Sequence, residues 1–144
     1  MKTSVLKKDQ IKKNWWLIDL GKTTLPLGRI ATQVANLIRG KNKPNFSPTL
    51  NCGDYVVIIN STSMRVTGNK LEQKKYYRHS GYFGGLKERT FKEQFDLDPN
   101  FIFREAVKGM LTRNTIRRYL MRNLFVYEGD EHPHLAQQPT HMEI

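Results

Sequence analysis

Cysteine occurs once in the 144 residues, at Cys52, so no disulfide can form within the chain and no set of thiolates can cage a metal. That scarcity points to a reducing compartment. Long apolar runs are missing too. No stretch approaches the roughly 18 residues of a membrane span, and the opening MKTSVLKKDQIKKNWW carries Asp9 and lacks the apolar centre of a signal peptide. A cytoplasmic protein without a membrane partner is the expectation. Acidic side chains are also few: 13 Asp and Glu stand against 24 Lys and Arg, for a net charge of +11. A compact body with that excess repels itself and attracts polyanions, nucleic acid above all.

The shortage of acid is uneven along the chain. Residues 1–44 carry ten basic and two acidic side chains, residues 108–122 five basic and none acidic, and from Leu124 onward there are four acidic residues and no Lys or Arg. Basic charge is thus grouped, as a binding surface requires. With 38% apolar residues, a chain of this length can bury one core but not two. The expected organisation is a single domain over 1–144, with an N-terminal extension (1–14), a core (15–127) and a C-terminal tail (128–144).

Trp15-Trp16-Leu17-Ile18-Asp19-Leu20 puts bulky residues at consecutive positions, as in a strand covered on both faces. Ile30, Val34, Leu37 and Ile38 have the spacing of one apolar helix face, and Gly40 supplies its stop. Tyr55 to Ile59 is a second β-branched run. Strand, helix, strand implies a parallel pair joined by a right-handed crossover, hence a layered α/β fold around a small sheet. A short strand is expected at 64–67, helices at 90–95, 100–111 and 113–123, and a last strand at 125–127. The segment from Gly68 to Gly85 reads as irregular. The tail, with Pro133 and Pro139, is expected to run extended over the surface or onto a partner.

Catalytic and ligand motifs fail on inspection. Asp19-Leu20-Gly21-Lys22-Thr23 lacks the first glycine of a phosphate loop, because position 16 is Trp16. His132, His134 and His141 lack the spacing of a helical zinc pair. Ser61 and Ser63 follow a strand but sit in no nucleophile elbow, and the carboxylates are scattered. No enzyme activity, cofactor, metal or small-molecule substrate is expected.

The basic constellations say more. On a helix over 113–123, Arg113, Arg117, Arg118 and Arg122 fall on one half and Ile116, Tyr119 and Leu120 on the other, with Met121 alone intruding on the basic half. No carboxylate offsets these arginines, and their planar forks suit phosphate. Lys70, Lys74, Lys75, Arg78 and Lys87 alternate with Tyr76, Tyr77, His79 and Tyr82, a mixture that can hold phosphates and stack on unpaired bases. A core role fits one or both of Tyr76 and Tyr77 equally well. Arg29 at the start of the first helix, Arg39, Lys41 and Lys43 around its end, and Lys108 complete the candidate RNA-binding set. A helix-turn-helix DNA regulator is the alternative, with 100–111 as first helix, a turn near Gly109 and 113–123 as recognition helix. The second basic segment lies outside that motif.

Several short stretches occur in an order characteristic of one family: Leu27-Gly28-Arg29-Ile30-Ala31, Gly40-Lys41, Gly53-Asp54-Tyr55, Val66-Thr67-Gly68-Asn69-Lys70, Tyr76-Tyr77-Arg78-His79-Ser80-Gly81 and Gly84-Gly85-Leu86-Lys87. Ala106-Val107-Lys108-Gly109-Met110-Leu111, Val126-Tyr127-Glu128-Gly129, His132-Pro133-His134 and Ala136-Gln137-Gln138-Pro139 follow. On these the chain resembles, over nearly its whole length, the bacterial-type thirteenth protein of the large ribosomal subunit. The resemblance implies a three-layer α/β/α core around a small, mostly parallel four-stranded sheet. It also implies binding to large-subunit RNA of the 23S type beside neighbouring ribosomal proteins, an early part in subunit assembly, no cofactor, no catalysis and no homo-oligomer. Two departures stand out. Thr112 replaces the proline usual after Gly-Met-Leu, and the connection from Gly21 to Leu27 is longer than usual.

Overall fold

Two runs of consecutive apolar residues make the centre of the main sheet in the computed structural model, which describes residues 7–144. The first six residues, where the expected N-terminal extension begins, and the side chain of Lys8 lie outside the described part. In chain order the strands are β1 (Trp15–Asp19), β2 (Tyr55–Ile59), β3 (Lys75–His79), β4 (Leu86–Thr90), β5 (Leu124–Val126) and β6 (Thr140–His141). The helices are α1 (Leu27–Arg39), α2 (Lys70–Gln73), α3 (Phe91–Leu97), α4 (Pro99–Met110) and α5 (Arg117–Met121). The main sheet has the order β5-β2-β1-β6 and is parallel at every pairing; β3 and β4 form a separate antiparallel ribbon. The α/β class with a four-stranded parallel sheet is therefore as expected.

Because side chains alternate along a strand, the register sends Trp16, Ile18, Val56, Ile58, Leu124 and Val126 to one face and Trp15, Leu17, Tyr55, Val57, Ile59 and Phe125 to the other. The apolar sides of α1, α3, α4 and α5 all pack on the first face. Among the described residues the second face is covered by rings and tail: Trp15 stacks on Tyr55 with centroids 4.5 Å apart, and His134 lies 4.5 Å from Phe125. The His134 ring also shares a 2.8 Å hydrogen bond with the Tyr127 hydroxyl.

Helix α1 buries Leu27, Ile30, Ala31, Val34, Ala35, Leu37 and Ile38, an apolar stripe at 3.6-residue periodicity. It ends at Gly40, whose φ of 78° is left-handed, and the amides of Gly40 and Lys41 both return to the Asn36 carbonyl. The next turn brings Gly53 against the helix end. A Cβ on Gly53 would lie 1.6 Å from the Ile38 carbonyl oxygen, so only glycine permits this approach, which also lets the Asp54 amide donate to Leu37. Downstream, Thr90 and Glu93 cap α3 reciprocally, and Asp98 caps α4 with Pro99 in its first turn.

Four expectations are corrected. The 64–67 segment forms only an isolated bridge from Arg65 to Pro26. The segment from Gly68 to Gly85 is not irregular; it holds α2 and β3 and pairs with β4 as a hairpin. Helix 113–123 shrinks to the five residues of α5. The tail does not merely run over the surface: β6 pairs with β1 and becomes the fourth strand, with the Met142 amide donating to Leu17.

Two outcomes follow. Gly53→Ala forces backbone against backbone and is expected to cost about 3 kcal/mol or more, read as a lower urea midpoint with unchanged m-value. Burial among rings, and then the neighbouring His132, hold the His134 imidazole below its ordinary pKa. The unfolded chain therefore takes up the proton more readily, so this stability is present above the ordinary value of about 6.5 and is lost as pH falls through it. The urea midpoint should drop from pH 7.5 to 5.5, and drop less in His134→Gln.

Candidate nucleic-acid interface

The structure sorts the candidate cations into those already paired and those left over. Among the described residues four ion pairs form, and three involve candidate residues: Lys43 with Asp54, Lys75 with Glu88 at 3.0 Å, and Lys108 with Glu105 at 2.5 Å. Lys43 departs furthest from expectation. Its ammonium turns inward, donating to the Lys12 carbonyl at 2.7 Å, the Cys52 carbonyl at 3.2 Å and the Asp54 carboxylate. Asp54 is 5% exposed and also accepts from the Asn14 amide and the Trp16 indole. The charge of Lys43 is thus compensated within the fold. Lys13, which sequence reasoning passed over, lies over the Tyr55 ring at 4.8 Å. Partial burial, then Lys43, hold its ammonium below the ordinary value.

Arg29, Lys41, Lys70, Lys74, Arg78, Lys87, Arg113, Arg118 and Arg122 are exposed, Arg39 and Arg117 half-buried, and none of them has a carboxylate within 4.0 Å among the described residues. Arg39 rests on the Phe46 ring and Lys74 over Tyr76, contacts that leave their charge uncompensated.

At the C-terminal end of the helical layer the arginines do come together, though not on the helix face expected. Arg113 stands in the turn before α5, and the Asn114 side chain accepts from the Arg117 amide to start the helix. Arg118 and Arg122 flank the exposed ring of Tyr119 at 5.1 and 5.6 Å. Tyr119 therefore belongs with the basic surface rather than with buried Leu120. Between α4 and α5 runs a groove of about 630 Å³, whose lining includes Arg104, Glu105, Lys108, Arg117, Arg118 and Met121. Arg104 was missed; its spacing of four from Lys108 on one helix was the available signal. Five residues make a poor recognition helix, so the helix-turn-helix geometry is not formed.

The second cluster is the β3–β4 hairpin. Arg78 stands opposite Lys87 and Tyr76 opposite Arg89, a residue that sequence reasoning also missed. Tyr76 is the ring with a core role. It packs edge-on to Phe101 at 5.9 Å, and burial, with Glu105 nearby, pushes its phenol up to about 12. Tyr77 and His79 point to solvent on the other face, beside Lys75, whose ammonium is held above its ordinary value by its hydrogen bond to Glu88. His132 and His134 are drawn into the ring layer, their centroids 6.2 Å apart.

The buried pair offers a direct test. Asp54→Ala leaves Lys43 without its counter-charge and should cost about 3 kcal/mol. Adding Lys43→Met should recover part of that loss, so urea denaturation of the two single variants and the double variant should be clearly non-additive.

A profile of the family described as ribosomal protein L13 matches residues 13–133. Similar curated proteins, each named large ribosomal subunit protein uL13, include those of Aquifex aeolicus (48% identical, covering 100% of this chain and 99% of the relative), Alcanivorax borkumensis (50%, covering 100% of both) and Prochlorococcus marinus (50%, covering 99% and 94%). With the profile spanning β1 to β5 and both basic clusters, and these relatives aligned over the whole chain, the chain belongs to the ribosomal protein L13 family.

Proposed function

We propose that the chain binds large-subunit ribosomal RNA of the 23S type and supports early subunit assembly by bracing RNA segments against its basic surface. Its family is a structural component of the large ribosomal subunit and not an enzyme. The observation that carries the RNA reading is the uncompensated arginine cluster around α5. Arg113, Arg118 and Arg122 are exposed with no carboxylate within 4.0 Å among the described residues, although acidic partners are supplied to Lys43, Lys75 and Lys108. Concentrated positive charge of this kind is self-repulsive until phosphates neutralise it. Guanidinium forks on a helical layer and lysines on adjoining turns contact backbone rather than base edges, so shape and phosphate spacing govern recognition. Lys41 in the turn after α1 and Lys70 at the start of α2 extend the surface. Neighbouring large-subunit proteins complete the set of partners.

Filter binding of the purified chain to 23S-type RNA across 50 to 200 mM salt tests this reading. With six to ten phosphates contacted, affinity should fall on the order of 10³ to 10⁵ over that range. Arg118→Ala with Arg122→Ala should weaken binding and lower the salt slope by about two. Salt-independent affinity, or a slope untouched by these substitutions, would count decisively against it.

A further inference from the structure

The β3–β4 hairpin holds large rings out in solvent. Tyr82 is 81% exposed and Phe83 is uncovered at 110%, with Tyr77 and Leu86 also exposed nearby. Grouped exposure of this kind marks a contact surface, whereas single exposed apolar residues need no explanation. The tip is also built. The Ser80 amide donates to the Gly85 carbonyl at 3.1 Å, and the Gly85 amide to the Tyr82 carbonyl at 2.9 Å. The Gly81 amide donates to His79 Nδ1 at 2.9 Å. Gly81 and Gly84 take φ of 92° and 68°, and a Cβ on Gly85 would lie 2.1 Å from Ser80 Oγ and 2.8 Å from the Tyr82 carbonyl oxygen. These contacts fix the turn, so less ordering is left for binding to impose.

In the stem, below the His79–Leu86 pair that borders the tip, the register sets Arg78 opposite Lys87 and Tyr76 opposite Arg89. Like charges directly across a ribbon are destabilising, and no carboxylate lies within 4.0 Å of Arg78, Lys87 or Arg89 among the described residues. Glu88, the one acid of β4, is engaged by Lys75. The stem therefore keeps a repulsion that an external anion would relieve, on the same hairpin as rings that are left exposed.

We propose that this hairpin is a base-stacking element: Tyr82 and Phe83 stack on unpaired bases of a large-subunit RNA loop while Arg78, Lys87 and Arg89 hold the flanking phosphates. It rests on the RNA-binding reading and adds a second mode of contact to the backbone bracing assigned to the α5 region. An unpaired RNA strand presents a ring face and a phosphate with every nucleotide, which matches a hairpin with rings at its tip and cations on its stem. An apolar protein surface would cover the rings and leave the stem cations unmatched.

The test uses the full chain and 23S-type RNA, with filter binding from 50 to 200 mM salt and chemical probing of unpaired bases. Tyr82→Ala with Phe83→Ala should bind about 10-fold more weakly at every salt, with the slope unchanged and a small set of protected unpaired bases reactive again. Leucine at both positions keeps apolar area without a stacking face and should behave like alanine. Arg78→Ala with Lys87→Ala should instead flatten the slope. The tip touches no core, so circular dichroism should match the parent for all three variants. If the ring variants keep parental affinity and footprint, the proposal is overturned while the RNA-binding reading stands; poor incorporation of those same variants into reconstituted subunits would then assign the tip to a protein neighbour. If leucine restores affinity, burial rather than stacking is at work and the proposal also fails. Absence of binding by the parent chain would overturn both readings together.

Discussion

The Asp54 carboxylate is where the fold is tied together. From the start of β2 it accepts from the Asn14 amide, the Trp16 indole and the Lys43 ammonium, and so joins the segment before β1, β1 itself and the loop after α1. The same loop is threaded through the close approach of Gly53 to the end of α1. A buried carboxylate is costly unless every lone pair has a partner. Here the partners are three segments that must already be in place, which makes the site a constraint on register as much as a source of stability. Lys43 is the cation it requires. A basic residue that sequence alone assigns to the RNA surface is therefore consumed by the interior.

The sheet's two faces then take different work. One is closed by helices, whose outer surfaces and connecting turns carry uncompensated arginines; the other is closed by Trp15, Tyr55, Phe125 and the returning tail through His134. Because the tail supplies both β6 and the His134 ring of this layer, the acidic and histidine-bearing end of the chain is kept on the sheet. Two groups of cations without a carboxylate partner lie elsewhere, around α5 and along the β3–β4 hairpin. Where acid does meet base, at Lys75 and Lys108, it trims the charge of each cluster without cancelling it.

Sequence by itself determined the elements whose signal is local. The apolar runs at 15–20 and 55–59 and the periodic stripe ending in Gly40 identify β1, β2 and α1, because burial on both faces or on one helix face leaves its period in the residues. The order of short motifs carried the family, and the lopsided charge carried the class of partner. Tertiary structure alone decided the rest. The hairpin escaped notice because strands that turn little besides Tyr76 toward the core have no apolar alternation to read. The strand β6 has only two residues and gains its place from the edge of β1. Helix α5 stops at five residues, displacing Arg113 into a turn and Tyr119 into the basic surface. Above all, which lysines meet a carboxylate depends on residues far apart in the chain, as with Lys75 and Glu88 across a ribbon, and a linear pattern of charge carries no record of pairings that only folding makes.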